Sequence, residues 1–550
     1  MAPIPPEYLP PRELWPTRVY TLPEYAGYPP RMNSTEELLD RTLEAGRGDR
    51  PALLYEEVRI TYAQLAERVN RFGNALKALG VREEDRVAIQ CPSIPPAIVA
   101  NFAVIKIGGI SVPTSPLFST AELEKVFNNA EVVAVLVAAP MLETVEKARS
   151  RVPTLRHVIV VGGNAEEHRQ KGYLVYEDLV KDGGTELPPV RRARDAISVL
   201  LYTSGTTGTP KGTAHFMEEA LVVSDGFGKL CWRLSERDVV GGPAPISLAA
   251  GYSTVAVIPY RFGAAVSLLP RFTPEGMFET IQKHRITVCS ILPTAYRKML
   301  QVPDAGKYDL SSLRLLTGGG ESLTAQTYFD WKQKFGMEIF EGLGTTEMMF
   351  VFISNTVDLR AKPGSCGKAV PGYEVMVVDD EGRRLNPGEI GHLIARGPTG
   401  TLYWRPHEDG GELLHKQQAS VRDGWNTVGD YAYLDEGEHV FFVSREDDII
   451  KSSGYRIGPE EVEQAVLKHP AVADAGVIGV PDPVRGQNVV AFVVLRPGAA
   501  AAEALGQGII ESCRESVAVY KLPREVRFVK ELPRTVTGKL LRRELRKLLA

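Results

Sequence analysis

Apolar positions along the chain fall into two recurring rhythms. Leu65, Val69, Phe72 and Leu76 recur at helical spacing, which predicts a helix with one buried face. Continuous apolar runs of strand length stand at "EVVAVLVAA" (131–139), "HVIVVG" (157–162) and "ISVLLYT" (197–203), and "DRVAIQC" (85–91) reads as a further strand. Such runs alternating with helices predict layered α/β structure with largely buried sheets. The pattern changes near Ser444. "SREDDIIKSSGYRIGPEEVEQAVLKHP" opens on a charged turn, after which Val462, Ala465 and Val466 give a helix an apolar face. Two strands follow, "AGVIGV" and "NVVAFVVL", then an amphipathic helix near 509–517, while the alanine-rich "PGAAAAEALG" predicts a loop entering a helix. Residues 1–35, rich in proline with scattered aromatics, predict an irregular arm lying on a neighbouring surface. The expected organisation is a large domain, 1–446, and a small α+β domain, 447–550.

Composition narrows the class of partner. A chain of 550 residues is too long for one compact core. A net charge of -4 and a pI near 6.2 argue against bulk nucleic-acid binding. Residues 448–550 carry a small excess of Lys and Arg, which suits a polyanionic small molecule or is ordinary surface variation. The five cysteines lie far apart with no C-x-x-C pair, so neither a disulfide framework nor a zinc site is indicated and a reducing cytoplasm is the expected location. No apolar run reaches membrane-spanning length, and no signal-peptide core stands near the start, so neither export nor membrane insertion is expected.

The stretch "YTSGTTGTPKG" (202–212) follows directly on a predicted strand. It fails the common P-loop pattern G-x-x-x-x-G-K-[ST], because Pro210 precedes Lys211 and Gly212 follows it. Its chemistry still suits phosphate. Backbone N–H groups freed at Gly205 and Gly208, the hydroxyls of Thr203, Ser204, Thr206 and Thr207, and the Lys211 ammonium can converge on phosphate oxygens. A structural turn is the bland alternative.

Further stretches occur in order: "TGGGESL" (317–323), "EGLGTTE" (341–347), "DGWNTVGD" (423–430), the charged turn after Ser444, and "PRTVTGK" (533–539). Together with the loop at 202–212 they resemble the signatures of the adenylate-forming superfamily, which includes acyl- and aryl-CoA ligases, peptide-synthetase adenylation domains and beetle luciferases. The resemblance implies a large N-terminal domain of layered α/β subdomains with a β-rich subdomain, and a small, mobile α+β C-terminal domain hinged at Asp447. It implies ATP, Mg²⁺ and coenzyme A as cofactor and co-substrates. Glu347 would hold Mg²⁺ and Thr346 would contact the α-phosphate; Asp430 would accept from the ribose hydroxyls, with Arg445 nearby. Glu341 and Gly342, with the backbone at Gly320 and Glu321, would face adenine, although Leu343 stands where the family often has an aromatic residue. Lys539 would stabilise charge developing as a carboxylate displaces pyrophosphate, and on charge alone it is one more lysine before the basic stretch "LLRRELRKLL". After rotation, Ser453, Gly454 and Tyr455 would meet the CoA arm, Arg456 a phosphate, and Arg514 the CoA nucleotide.

Similarity to the benzoate- and 2-aminobenzoate-CoA ligase branch is closer at "LPPRELWP", "LPTAYRKML", "GTTEMMFVFISN" and "PGSCGKAVPGYEV". It implies an acyl pocket drawing on Ala249, Ala250, Tyr252, Gly318, Gly319 and Gly344. Two departures bear on the acid: Ala249 and Ala250 stand where that branch has bulkier residues, and Phe350 where it has histidine. A short branched or hydroxylated acid such as 2-hydroxyisobutyrate is therefore the alternative substrate. Loading of a separate carrier protein, a luciferase-like oxygenase and a non-catalytic nucleotide-binding protein are the other readings. A small carboxylic acid, ATP and CoA are the expected partners, with no nucleic acid and with a homodimer left open.

Overall fold

The computed structural model describes residues 4–203, 210–408, 410–453, 455–534 and 540–549. The chain packs as two compact units, 1–374 with 395–426, and 375–394 with 427–550. The packing boundary thus differs from the expected 446/447. Residues 375–394 and 427–446 hold together through the pairing of Trp425–Leu434 with Val440–Arg445 and the Gly388 N–H on the Leu434 carbonyl, and they meet the C-terminal residues where Arg456 pairs with Asp380 and Gly458 lies against the Val443 carbonyl.

In the first unit, a seven-stranded sheet runs in the order Lys211–Phe216, Ile197–Thr203, Ile110–Pro113, Arg86–Gln90, Val132–Ala138, His157–Val161 and Leu174–Val175. All neighbours are parallel except the first pair. The strand Val132–Ala138 is buried at every position, as expected of a sheet covered on both faces. The helix Tyr62–Ala78 begins at a capping box, Thr61 with Gln64, and buries Leu65, Val69, Phe72 and Leu76; the cap satisfies backbone donors that a helix start leaves orphaned. A second, nine-stranded sheet has a parallel centre that includes Val288–Ile291, Leu315–Gly318 and Ile339–Gly344. Its end strands Val351–Ser354 and Lys368–Ala369 turn antiparallel.

The proline-rich arm is tied down rather than loose. Tyr8 donates to Glu131 at 2.7 Å, Arg18 meets the buried Glu219 at 2.6 Å, and Tyr20 donates to Glu218 at 2.5 Å. Glu219 also meets His215 Nδ1 at 2.7 Å, both side chains being fully buried. Charges taken this far from water need partners.

The second unit holds a three-stranded sheet, Val472–Asp482, Gly486–Leu495 and Glu525–Phe528. Against it lie the helices Pro459–Leu467, Glu503–Ser512 and Arg542–Lys547. The helix expected near 509–517 starts earlier, at Glu503, and gives way to a 3₁₀ turn at Cys513–Glu515; the alanine-rich stretch is, as expected, a loop that enters this helix. Ile450–Ser452 and Tyr455–Ile457 pair as an antiparallel hairpin.

All five cysteines are buried and free. Burial pushes the Cys231 thiol up to about 12 and raises Cys91, Cys289 and Cys513 as well. Among the described residues no helix is long and apolar enough to cross a membrane.

Gly367 has φ +95°, and a Cβ there would stand 2.0 Å from the Ser354 carbonyl carbon. Gly367→Ala should therefore cost about 3 kcal/mol or more, from the left-handed backbone and the backbone clash together. A thermal midpoint equal to that of the unsubstituted protein would contradict this close approach.

Candidate active site

Thr203 and Lys211 are register partners across the antiparallel pair, so the chain between them leaves and returns at one end of the seven-stranded sheet. Ser204, Gly205, Thr206, Thr207 and Gly208 lie outside the described residues. Lys211 opens the returning strand and is buried. One residue on, a Cβ at Gly212 would press on the Tyr202 ring at 3.0 Å, so glycine lets the two strands close here.

The same strand carries a connection that sequence reasoning missed. Trp404 donates its backbone N–H to the Gly212 carbonyl and Ala214 donates to Leu402, each at 2.8 Å, which lays Tyr403 beside Thr213. The Tyr403 hydroxyl then donates to Glu347 Oε1 at 2.8 Å. Gln417, itself buried, holds the Tyr403 N–H at 3.0 Å and bonds the Thr401 carbonyl at 3.0 Å. The strand Lys211–Phe216 and the Glu347 carboxylate are thereby linked through the Tyr403 phenol. No sequence signal joins residues 347 and 403, because the pairing depends on how the 402–404 segment lies on the sheet.

Glu347 sits in a turn after the strand Ile339–Gly344, closed by Met348 N–H to Thr345 and Met349 N–H to the Thr346 carbonyl. Gly344 makes the turn feasible, since a Cβ there would stand 2.5 Å from the Phe350 carbonyl oxygen. Met349 takes the left-handed φ of 65°, uncommon for a non-glycine residue. Its carbonyl accepts from Ser253 at 3.1 Å, and the Met348 carbonyl accepts from Thr399 at 3.0 Å. Bonds on two sides hold a strained turn that presents Thr346 and Glu347.

Glu347 stands as a single carboxylate, and no cluster of three or more acidic, histidine or cysteine side chains that could hold a metal occurs among the described residues. That donor set fits magnesium, which keeps most of its water and is shared with phosphate oxygens, better than a metal caged by protein alone.

Gly318 is the register partner of Glu341, and a Cβ at Gly319 would lie 3.0 Å from the Gly342 carbonyl. The buried Glu341 carboxylate accepts from the Leu323 N–H at 2.9 Å, closing the turn that contains Gly320 and Glu321. Glu321 in turn is bonded by Thr294 and approached by Arg297 at 3.7 Å. The Glu341 side chain thus closes the loop on itself, whereas that of Glu321 ties the loop to the helix Pro293–Leu300.

Ala249, Ala250 and Tyr252 form the short helix Ala249–Tyr252, which runs into a π-helical turn, Ser253–Val257. Gly251 is obligatory there, since a Cβ would meet the Pro245 carbonyl at 2.0 Å. Tyr252 is buried. Phe350, also buried, meets Phe227 edge-on at 4.9 Å between centroids and Trp232 at 5.8 Å.

In the second unit, Asp430 is buried and Arg445 Nη1 lies 2.7 Å from its Oδ1. Arg456 is bound to Asp380 at 2.7 Å and lies over the Tyr431 ring; His392 shares Asp380 at 2.9 Å. Asp447 is exposed. Ser453 takes a left-handed φ of 50°, and Tyr455, half exposed, stacks on Tyr520 at 4.0 Å. Arg514 pairs with Glu511 of the preceding helix at 2.6 Å. Gly454 and Lys539 lie outside the described residues.

The sequence matches the AMP-binding enzyme family over residues 39–404 and the AMP-binding enzyme C-terminal domain over 461–539. It is 34% identical to the acetyl-coenzyme A synthetase of Bacillus subtilis (strain 168), covering 94% of this chain and 90% of that protein. It is 33% identical to the benzoate–CoA ligase of Thauera aromatica, with 94% and 96% covered. The crystal structure of the anthranilate CoA ligase AuaEII in complex with anthranoyl-AMP superposes with a TM-score of 0.87 at 33% identity, covering 95% of this chain and 98% of that one. The expected mixed α/β fold, with a large N-terminal and a smaller C-terminal domain, is the fold these enzymes share. The chain therefore belongs to the AMP-binding enzymes, the adenylate-forming superfamily, and is an AMP-forming acid–thiol ligase.

Proposed function

We propose that this ligase joins coenzyme A to an aromatic acid of the benzoate or 2-aminobenzoate kind through an acyl-adenylate. The observation that carries the aromatic reading is the wall around Phe350. Its ring meets Phe227 and Trp232 edge-on, in the same buried cluster as Ala249 and Tyr252, and its carbonyl lies against the bare backbone of Gly344. Fixed aromatic edges and flat glycine backbone suit a planar ring. The similarity to proteins named for benzoate and anthranilate supports the same reading.

A free carboxylate acylates poorly because oxide would have to leave. Attack on the α-phosphorus of ATP expels pyrophosphate instead; the CoA thiol then attacks the acyl carbonyl of the acyl-adenylate, the C–S bond forms, and AMP leaves. Thr206 and Lys211 would grip the outer phosphates and Thr346 the α-phosphate. Glu347, oriented by Tyr403, would hold Mg²⁺, which when bound neutralises phosphate charge. Asp430 would accept from the ribose hydroxyls, its free rotation removed by Arg445. Lys539 would meet the charge that develops in the first step. For the second step the C-terminal domain would turn about Asp447, bringing Ser453, Gly454 and Tyr455 to the pantetheine arm and Arg514 to the nucleotide. Arg456 would have to leave Asp380 to reach a phosphate. The free, buried thiols suit a reducing compartment such as the cytoplasm.

A second reading rests on Ser247 and Thr254, buried hydroxyls in or beside the same segment with no hydrogen-bond partner among the described residues. A hydroxylated aliphatic acid such as 2-hydroxyisobutyrate would offer them one. AMP release with and without CoA, measured across benzoate, 2-aminobenzoate, short-chain and hydroxy acids, separates the two. Faster turnover of the aromatic acids is expected; a preference for 2-hydroxyisobutyrate would replace the first reading with the second.

A further inference from the structure

The segment Thr535–Lys539 lies outside the described residues, but both of its ends are well defined. Arg534 and Leu540 are bridge partners, and the Leu541 N–H donates to the Pro533 carbonyl at 2.9 Å, so the chain enters and leaves this segment at one point. Each flank carries an arginine with carboxylate partners. Arg534 reaches both oxygens of Asp474, at 2.8 and 2.6 Å. Arg542, which is buried, bonds both oxygens of Glu463 at 2.9 Å and Asp448 at 3.3 Å. One turn further along the same helix, Arg546 donates to the Asp447 carbonyl at 3.3 Å.

The two pairs differ in kind. Asp474 and Arg534 are each about 37% exposed, whereas the Arg542 side chain is 8% exposed and that of Glu463 11%. A surface pair contributes little to stability. A buried, bidentate one holds geometry tightly because either partner left alone would be an uncompensated charge. Glu463 is further fixed by the Val477 N–H at 2.8 Å. Arg542 therefore ties the end of the Lys539 segment to the helix Pro459–Leu467 and, through Asp448, to the residue next to Asp447.

We propose that Arg542 is a positioning residue for the adenylation half-reaction, holding the end of the Lys539 segment against Glu463 and Asp448 while Arg534 and Asp474 hold its other end. This rests on the reading of Lys539 as the adenylation lysine. Displacing a catalytic group by an ångström costs far more rate than stability, so the clamp's effect falls on one half-reaction.

The charge balance also makes the clamp sensitive to pH. Burial pushes the Glu463 carboxyl up to about 7, against the pull of Arg542 and the Val477 N–H and with Glu460 adding repulsion. Burial disfavours the ionised form, so the carboxylate takes up a proton as pH falls through about 7 and the ion pair loosens. Asp448 then remains the only carboxylate that bonds Arg542 among the described residues.

The test compares acid-dependent ATP–pyrophosphate exchange with thioester formation from supplied acyl-adenylate and CoA. Arg542→Ala should lose about a hundredfold in exchange and stay within about threefold in thioester formation. Arg542→Lys should recover part of the exchange. Glu463→Gln should flatten the fall in the ratio of exchange to thioester formation between pH 8 and 6. Asp474→Asn, at a half-exposed site, keeps the test open should Arg542→Ala fail to fold; its exchange should fall about tenfold with thioester formation kept. Equal losses in both half-reactions, or exchange unchanged in Asp474→Asn and Glu463→Gln, overturn the proposal. Exchange intact in Lys539→Ala overturns the lysine's assignment and this inference with it. Exchange lost there but kept in both Arg542 variants overturns this inference alone.

Discussion

Lys539→Ala should lose acid-dependent ATP–pyrophosphate exchange by about a thousandfold, the scale expected for removing a fixed group that meets developing charge. Thioester formation from supplied acyl-adenylate should be largely spared. The physical reason is division of labour: the first step builds charge at the α-phosphate, whereas the second only expels an AMP already formed. Lys539→Arg keeps the charge but spreads it over a planar fork with different reach, so it should not restore the rate. Comparable losses in both half-reactions would remove the division of labour and with it the need for a rotating domain.

Glu347→Gln is expected to be the second most damaging change, lowering exchange by about a hundredfold, or ~3 kcal/mol of transition-state stabilisation. An amide keeps the shape and the bond from Tyr403 but gives up the charge that would attract the divalent cation. The Mg²⁺ concentration for half-maximal rate should therefore rise. Tyr403→Phe is the informative contrast: it leaves the charge and removes one hydrogen bond, a difference of about 1 kcal/mol. Identical Mg²⁺ dependence in Glu347→Gln and the unsubstituted enzyme would mean that the carboxylate has another task, such as bracing the turn beside Phe350.

Some of this was legible in the sequence and some was not, for reasons of range. Ile197–Thr203 is a strand over the full length of its apolar run, because a strand buried on both faces needs an unbroken apolar string. The helix Tyr62–Ala78 could be read from its period, and its first turn from Thr61 and Gln64. Local signals failed where tertiary packing decides. The π-helical turns at Ser224–Gly228 and Ser253–Val257 carry no distinctive composition. Nor did the sequence indicate that Tyr403 would meet Glu347, or that residues 375–394 would pack with the C-terminal unit. The sequence points to Glu341 and to the backbone at Gly320 and Glu321 as facing a base, but it does not indicate that the Glu341 carboxylate bonds the Leu323 N–H or that the Glu321 carboxylate bonds Thr294. A motif identifies which residues gather at a site, not which of their atoms are already engaged.

The burial of all five thiols has a practical consequence. A thiolate is the reactive form; burial raises the proton affinity of Cys91, Cys231, Cys289 and Cys513 and shields all five sulfurs from reagents. The native chain should be close to silent toward maleimides, so no endogenous cysteine need be removed before site-selective dye attachment. Cysteines introduced at Phe329, 55% exposed, and Val484, 89% exposed, would place one fluorophore on each compact unit. Energy transfer between them, followed in single molecules as acid, ATP and CoA are added in turn, would then report whether the C-terminal domain makes the turn about Asp447 proposed above.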